Sequence, residues 1–198
     1  MSATVIGTLG KMARWEPDSP KRLQAAALEL FAERGFERTT VAEIAERAGV
    51  TERTFFRHFE DKREVLFARS EVLVDAMAGA VAAAPPEATP IEAVGAALAA
   101  AAELLDADRA RARRRHAVIA ANVELLEREL AKMATLAAAL AAALRQRGVA
   151  GSRATVAAEA GVTAFRIGFE RWVTDGEATL PAVLDAVLTE LRAVVGEG

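Results

Sequence analysis

The stretch at residues 39–62 constrains the fold of this chain more than any other part of the sequence. Thr40 followed three residues later by Glu43 is the capping-box pattern that begins a helix, and Thr51 offers a hydroxyl cap for a second one. Gly49 lies between the two segments and suits a sharp turn, because glycine adopts positive φ without steric cost. The stretch therefore predicts two short helices joined by a tight turn.

The two predicted helices have a buried back and an exposed front. The apolar positions recur at helical spacing and are expected to pack together: Val41, Ile44, Ala45, Ala48, Val50 and Phe55. The side chains left on the outer face of the second helix are Glu52, Arg53, Phe56, Arg57 and His58. Such a helix is typical of the recognition helix of a helix-turn-helix, which lies in the DNA major groove. A preceding segment, from Ser19 to Gly35, carries an apolar stripe and predicts a third helix that braces the pair.

The same stretch resembles the DNA-binding signature of the TetR family of bacterial transcriptional regulators. The resemblance spans residues 28–66, and its matching positions are Thr40, Ile44, Ala45, 48–51, 54–56, His58, Phe59 and Lys62. It implies an all-α fold, with an N-terminal three-helix helix-turn-helix DNA-binding domain and a C-terminal helical domain for ligand binding and dimerisation. We expect a flexible arm at 1–18, the DNA-binding domain at 19–66, the second domain at 67–198, and about nine helices in all.

Eight residues are candidates for contact with DNA. Those expected at or near bases are Thr51, Arg53, Thr54 and Arg57, and those expected at phosphates are Thr40, His58 and Lys62. Lys62 lies in the first turn of the next predicted helix, which is unfavourable for the helix dipole unless a phosphate is near; the alternative is an ordinary surface lysine. Many family members carry Tyr where this chain has Phe56, and that hydroxyl usually meets a DNA phosphate. The ring of Phe56 either contacts a thymine methyl group or simply packs, and Arg57 is then a candidate to supply the lost phosphate contact as well.

The composition agrees with a helical protein that binds DNA through few residues. The hydrophobic fraction is 53%, much of it alanine, which favours helix, whereas aromatic residues make up 5%. Net charge is −3, so affinity for DNA must come from the placement of a few cations rather than from bulk charge. The chain has no cysteine, and we expect no metal site and no cofactor. The longest apolar run near the middle, 133–144, is too short to span a bilayer. The DNA-binding stretch leads us to expect a cytoplasmic location.

The last two predicted helices point to a dimer. Their apolar faces are broader than one subunit is expected to cover, and exposed apolar faces of that kind mark interfaces. We therefore expect these helices to pair with their copies in a four-helix bundle. The candidate interface residues are Val162, Phe169, Leu184, Val187, Leu188 and Leu191.

The alanine-rich helices after residue 90 leave room for a ligand cavity. Its candidate apolar lining is Val118, Met133, Phe165, Phe169 and Trp172, with His116 and Arg166 as polar anchors. Each of these residues can equally be ordinary core or helix surface. We interpret the arginine run at 109–115 as a solvated or ion-paired face rather than a DNA contact. Residues 160–163 have the same sequence as residues 48–51, Ala-Gly-Val-Thr. We interpret Gly161 in this repeat as a site of close helix packing or ligand approach rather than part of a second DNA-binding unit.

Two features near the N-terminus allow alternatives. Lys11 and Arg14 reach DNA phosphates from a flexible arm, or the first residues are simply a disordered tail. Met12 is an alternative natural start.

Three functions compete on these observations. The resemblance implies a dimeric repressor of a near-palindromic operator that is released by a small molecule, and the cavity-lining residues make that molecule apolar or aromatic. The alternative is a DNA-binding regulator without a small-molecule effector, governed by a protein partner or by its own expression level. An enzyme or carrier is disfavoured, because the chain has two histidines, no cysteine and no phosphate-binding loop.

Overall fold

A computed structural model describes residues 18–175 and 177–196, and it confirms the all-α prediction for these ranges. The helices are α1 (Ser19–Arg34), α2 (Val41–Arg47), α3 (Glu52–His58), α4 (Glu64–Phe67), α5 (Ser70–Ala83), α6 (Pro90–Leu105), α7 (Arg109–Ala120), α8 (Val123–Gln146), α9 (Gly151–Asp175) and α10 (Leu180–Gly196), with a 3₁₀ turn at Asp106–Asp108. The expected N-terminal arm, with Lys11, Met12 and Arg14, lies outside the described residues. None of the helices in these ranges is long and apolar enough to cross a membrane.

After the helix-turn-helix the sequence predicts one longer helix that is capped by Asp61 and runs to about Ala83, but the structure divides this stretch into α4 and α5. The carboxylate of Asp61 accepts hydrogen bonds from the backbone N–H groups of Arg63 (2.7 Å) and Glu64 (3.1 Å), as expected of a cap. After α4 the chain bends at residues 68–69 before α5 begins. The three apolar residues of α4 are all buried, although they follow one another directly in sequence. Three consecutive side chains point in different directions around a helix, so α4 is covered on more than one side.

The helices enclose two hydrophobic cores. The N-terminal core contains the buried side chains of α1 to α4 together with Val118 and Ile119 from α7 and Leu125 from α8. The C-terminal core lies among α5, α6, α8, α9 and α10, with Trp172 and Phe165 among its largest members. Helix α7 and the start of α8 therefore pack against the DNA-binding end of the protein as well as belonging to the second half of the chain.

Glycines allow α9 to approach its neighbours closely. A Cβ atom on Gly161 would lie 2.4 Å from Val94 Cγ1 of α6, and one on Gly168 would lie 2.5 Å from Leu184 Cδ2 of α10. Both distances are shorter than any ordinary carbon–carbon contact. The repeated letters around Gly161 thus serve helix packing inside the C-terminal core, as the sequence indicated.

The residues predicted for the dimer interface require a correction. The side chains of Val162, Leu184, Val187 and Leu188 are buried in the C-terminal core of a single subunit, and Phe169 and Leu191 are partly buried against it. The single chain covers the apolar faces of α9 and α10 itself, because α6 lies against both helices. A partner subunit that packed on these helices would meet their outer faces instead, which carry Val156, Val194 and an ion pair from Arg171 to Glu190.

Candidate nucleic-acid interface

The helix-turn-helix is held by hydroxyl caps at both of its helices. Thr40 Oγ1 accepts a hydrogen bond from the Glu43 N–H (3.3 Å), and the Glu43 carboxylate accepts one from the Thr40 N–H (2.8 Å), which confirms the predicted capping box. The Thr40 N–H and hydroxyl, with smaller help from Arg34, hold the pKa of Glu43 below its usual range. Gly49 has φ +68°, and Thr51 Oγ1 accepts from the Thr54 N–H (3.2 Å) at the start of α3.

Helix α3 presents a basic and aromatic front to solvent. Phe55 faces inward with no exposed surface, whereas the neighbouring Phe56 is 55% exposed and meets Phe55 edge to face, with 5.4 Å between ring centroids. Arg53, Arg57 and Phe56 surround a shallow surface cleft beside Thr54, and His58 lies next to Arg57. The structure therefore brings the candidate base-contacting residues of α3 together on one exposed surface. Thr51 is the N-cap of α3, and Thr40 is the N-cap of α2. Their contacts with DNA stay predictions.

Lys62 has a different role from the predicted one. Its ammonium group donates to the carbonyl oxygens of Phe36 (2.9 Å), Thr39 (3.3 Å) and Glu37 (3.4 Å), and it lies 4.2 Å from the centroid of the Phe36 ring. A lysine has three N–H donors, and three carbonyl acceptors use all of them. Lys62 is therefore a brace between the start of α4 and the turn that joins α1 to α2, and we withdraw its assignment as a phosphate contact.

Replacement of Lys62 by methionine tests this correction. We expect the free energy of unfolding to fall by about 1–3 kcal/mol, because hydrogen bonds from a charged donor are lost and the stem is retained. We also expect the dependence of DNA affinity on salt to keep its slope, since no phosphate contact disappears. Urea unfolding and DNA binding at several salt concentrations measure the two quantities. Arg57→Met is the matched control, for which we expect the slope to fall by about one; the same fall for Lys62→Met would restore the phosphate contact.

The arginine run of α7 makes structural contacts that sequence reasoning did not locate. Arg109 donates to the carbonyl oxygen of Trp172, and Arg113 Nε donates to that of Val173 (2.7 Å), so both satisfy carbonyl groups in the last turns of α9. A cation at this end of a helix also interacts favourably with the helix dipole. The two arginines therefore join α7 to the C-terminal end of α9.

Two other arginines of the run extend from α7 toward the DNA-binding end. Arg111 Nη2 donates to the side-chain oxygen of Gln24 on α1 (2.6 Å). Arg115 Nε donates to the carbonyl oxygen of Leu66 on α4 (2.8 Å), and its Nη1 forms an ion pair with Glu129 of α8 (2.9 Å). The expected solvated or ion-paired face is thus ion-paired at Arg115, and α7 is hydrogen-bonded to two helices that hold α2 and α3.

Ion pairs also join α4 to α8. Glu64 pairs with Arg128 and, at 3.7 Å, with Lys132, whereas Arg63 pairs with Glu124. The partners are about sixty residues apart in sequence. No local pattern could have identified them, because only the fold places α4 beside the first turns of α8.

A cavity of about 240 Å³ lies between the N-terminal core and the C-terminal core. Five of the seven candidate ligand residues line it: His116, Met133, Phe165, Arg166 and Phe169. The other two need correction. Val118 is buried in the N-terminal core, and Trp172 is buried in the C-terminal core. The helical period explains the first error, because Val118 lies two residues from His116 and its side chain points in another direction. Trp172 packs against Phe169, with 5.7 Å between ring centroids, but lies deeper in the C-terminal core.

The capped helix-turn-helix and the exposed basic front of α3 are typical of a unit that binds DNA in the major groove. Residues 23–68 match the family described as bacterial regulatory proteins, tetR family. This resemblance covers about a quarter of the chain and is confined to the helix-turn-helix and the helices beside it.

Known proteins resemble the chain either in the sequence of the DNA-binding part or in the overall fold. The HTH-type transcriptional regulator TcmR of Streptomyces glaucescens is 43% identical over 68 residues, which cover 34% of this chain and 30% of TcmR. A Bacillus subtilis transcriptional regulator, FadR, solved in complex with stearoyl-CoA, has a TM-score of 0.61 at 23% identity and covers 86% of this chain and 96% of its own. The SmeT–triclosan complex has a TM-score of 0.64 at 22% identity, and the match covers 90% of this chain and 91% of SmeT. SmeT is a repressor from Stenotrophomonas maltophilia. The two solved structures show the shared fold alone.

Proposed function

We propose that this protein is a dimeric repressor whose hold on DNA is released by a small molecule in the cavity. One observation carries the proposal: the cavity and the N-terminal core share walls. Leu28 of α1 and Val65, Leu66 and Phe67 of α4 belong to the N-terminal core and also line the cavity. A molecule that fills the cavity therefore contacts the helices on which α2 and α3 rest.

The proposed release is a shift between two arrangements of the subunit. A ligand changes DNA affinity only if it binds one arrangement better than the other. A ligand in the cavity contacts α4 on one side and α7 and α8 on the other. The distance between α4 and the other two helices therefore depends on the ligand. Since the hydrogen bond from Arg115 to Leu66 and the ion pairs of Glu64 cross the same boundary, a change in separation would move the helix-turn-helix as a unit.

A dimer gives that movement its effect on DNA. One α3 reads few base pairs, whereas two copies related by a two-fold axis can occupy successive major-groove faces about 34–36 Å apart or somewhat more. We propose that the outer faces of α9 and α10 form the contact between subunits. We also propose that the operator is a near-palindrome and that the protein is cytoplasmic. Ligands found in relatives support the cavity part of the proposal: FadR of Bacillus subtilis was solved with stearoyl-CoA and SmeT with triclosan.

The experiment that tests the proposal begins with the purified full chain. Selection of bound duplexes from random DNA is expected to return a near-palindromic motif, and sedimentation at micromolar concentration is expected to show a dimer. A thermal-shift screen of small molecules then identifies ligands, whose effect on DNA affinity is measured directly. A monomer, or a protein that ignores every duplex in low salt, would refute the proposal. If ligands bind but do not change DNA affinity, the result would support the alternative, a DNA-binding regulator that is not released by a small molecule.

Replacement of Arg53 by alanine is expected to change the sequence that the protein prefers. Arg53 is exposed on the front of α3 and is a candidate for a guanine edge, where loss of the contact costs about 1–3 kcal/mol. We therefore expect the selected motif to become degenerate at one position in each half-site. Arg145→Ala on α8 removes the same charge and is expected to leave the motif unaltered. Uniform loss of affinity across all sequences in Arg53→Ala would make Arg53 a phosphate contact instead.

A further inference from the structure

The cavity is lined by more positive than negative charge. Its cations are Arg69, Arg111, Arg115, Lys132 and Arg166, and its carboxylates are Asp108, Glu129 and Glu170. Arg115 is paired with Glu129, and Lys132 with Glu64. Arg69, Arg111 and Arg166 form no ion pair with any residue that the structure describes. Three guanidinium groups are thus left at the cavity without a carboxylate partner in that part of the chain, and two of them, Arg69 and Arg111, are close enough to repel each other.

Arg111 is the more deeply placed of the two. Its guanidinium donates to the neutral amide oxygen of Gln24, which is itself buried, at 2.6 Å. Burial lowers the pKa of Arg111, and the nearby Arg69 guanidinium lowers it further, although Asp108 acts in the opposite direction. The Asp108 carboxylate accepts a hydrogen bond from the backbone N–H of Arg111 (2.9 Å) and so caps α7. A half-buried cation that is repelled by its neighbours would be stabilised by an anion.

Arg69 adds a second cation at the same end of the cavity. Its Nη2 donates to the carbonyl oxygen of Leu104 (3.2 Å), a neutral acceptor at the end of α6. Arg69 is also the N-cap residue of α5, and no described side chain caps the first turn of that helix. Since Ala68, Arg69 and Ser70 all line the cavity, the positive end of the α5 dipole lies beside the two guanidinium groups.

Apolar side chains form much of the remaining wall. Leu73, Leu105, Met133, Phe165 and Phe169 also line the cavity. We infer that the cavity binds an amphipathic carboxylic acid, with its carboxylate between Arg69 and Arg111 and its apolar body against these side chains. The inference rests on the proposed function in placing the effector in this cavity, and it replaces a purely apolar effector by an acid.

A carboxylate bound at Arg111 can also affect the helix-turn-helix. Arg111 ties α7 to Gln24 of α1, the helix that braces α2 and α3. A carboxylate is a stronger acceptor than an amide oxygen and competes for the guanidinium. Binding of the acid therefore weakens the hydrogen bond between α7 and α1.

Calorimetric titration of the full chain with matched probes tests the inference. The probes are decanoate against decan-1-ol and 2-naphthoate against 2-naphthylmethanol, so that each pair shares its apolar body. We expect at least one acid to bind about tenfold more tightly than its alcohol, as suits hydrogen bonds from a charged donor. Arg111→Gln is expected to abolish this preference and Arg111→Lys to retain most of it. Arg114→Gln, an exposed arginine on the same helix, and Gln24→Leu are expected to preserve it.

Three results would overturn the inference: equal binding of acid and alcohol in both pairs, no binding of any probe, or an undiminished acid preference in Arg111→Gln. Circular dichroism and thermal unfolding check that the variants fold, and Arg69→Gln replaces Arg111→Gln if the latter does not. DNA binding is measured separately. An acid that binds through Arg111 but leaves DNA affinity unchanged supports the inference and contradicts release by ligand. Release by the alcohols alone supports the proposed function and contradicts the inference.

Discussion

Replacement of Phe55 by alanine is expected to lower the free energy of unfolding by about 3–5 kcal/mol, the range for loss of a buried aromatic ring. Phe55 has no exposed surface and packs in the N-terminal core, with its ring centroid 5.4 Å from those of both Phe56 and Phe59. A small domain is stable by only about 5–15 kcal/mol, so this loss removes much of the margin. We expect DNA binding to fail at temperatures where the native protein still binds.

Phe56→Ala is the matched control, since it removes the same ring from the next residue of α3. Phe56 is more than half exposed, so we expect a stability change below about 1 kcal/mol. Its expected effect is on DNA affinity, because the ring lies on the front of the helix. Urea unfolding measures both variants. Equal destabilisation by the two substitutions would contradict the assignment of buried back and exposed front.

Replacement of Gly161 by alanine is expected to destabilise the protein by about 1–3 kcal/mol, the usual cost of overpacking a core. The added methyl group would lie 2.4 Å from Val94 Cγ1, and Val94 is fully buried on α6. A β-branched side chain has few rotamers, so Val94 cannot turn away freely and α6 must move from α9.

Two further variants make the Gly161 prediction specific. Gly79→Ala on α5 meets nothing within 4 Å and is expected to stabilise the protein by about 0.5–1 kcal/mol, because alanine favours helix over glycine. The double variant Gly161→Ala with Val94→Ala is expected to lose less than the sum of the two single losses, since the smaller side chain makes room. Thermal or urea unfolding gives all four values. Stabilisation by Gly161→Ala would show that the two helices are not in close contact.

The contacts of α7 suggest how the two halves of the protein communicate. This helix donates to α1 through Arg111, to α4 through Arg115 and to α9 through Arg109 and Arg113. It also contributes Val118 and Ile119 to the N-terminal core. Because α7 is bonded to both ends of the molecule and lines the cavity, we propose that it carries the ligand-dependent displacement to the helix-turn-helix.

The helix-turn-helix could be predicted closely because its signals are local. The Thr40–Glu43 box, the φ +68° turn at Gly49 and the Thr51 cap each involve residues within a few positions of one another. The inward and outward faces of α3 follow from the helical period alone. The boundary after Phe59 was predicted less well, because burial of α4 on several sides depends on α1 and α7.

The all-α class, the positions of most helices and the exposed front of α3 follow from the amino-acid order, since caps, turns and apolar periods are properties of neighbouring residues. Three other features come from helix packing alone: Lys62 is held by three carbonyl groups, Val162 and Leu188 are inside one subunit, and Arg111 reaches Gln24 across 87 positions of chain. In each of these cases the partner is distant in sequence. An apolar or charged side chain shows that it needs a partner, and the packing of helices selects which one it meets.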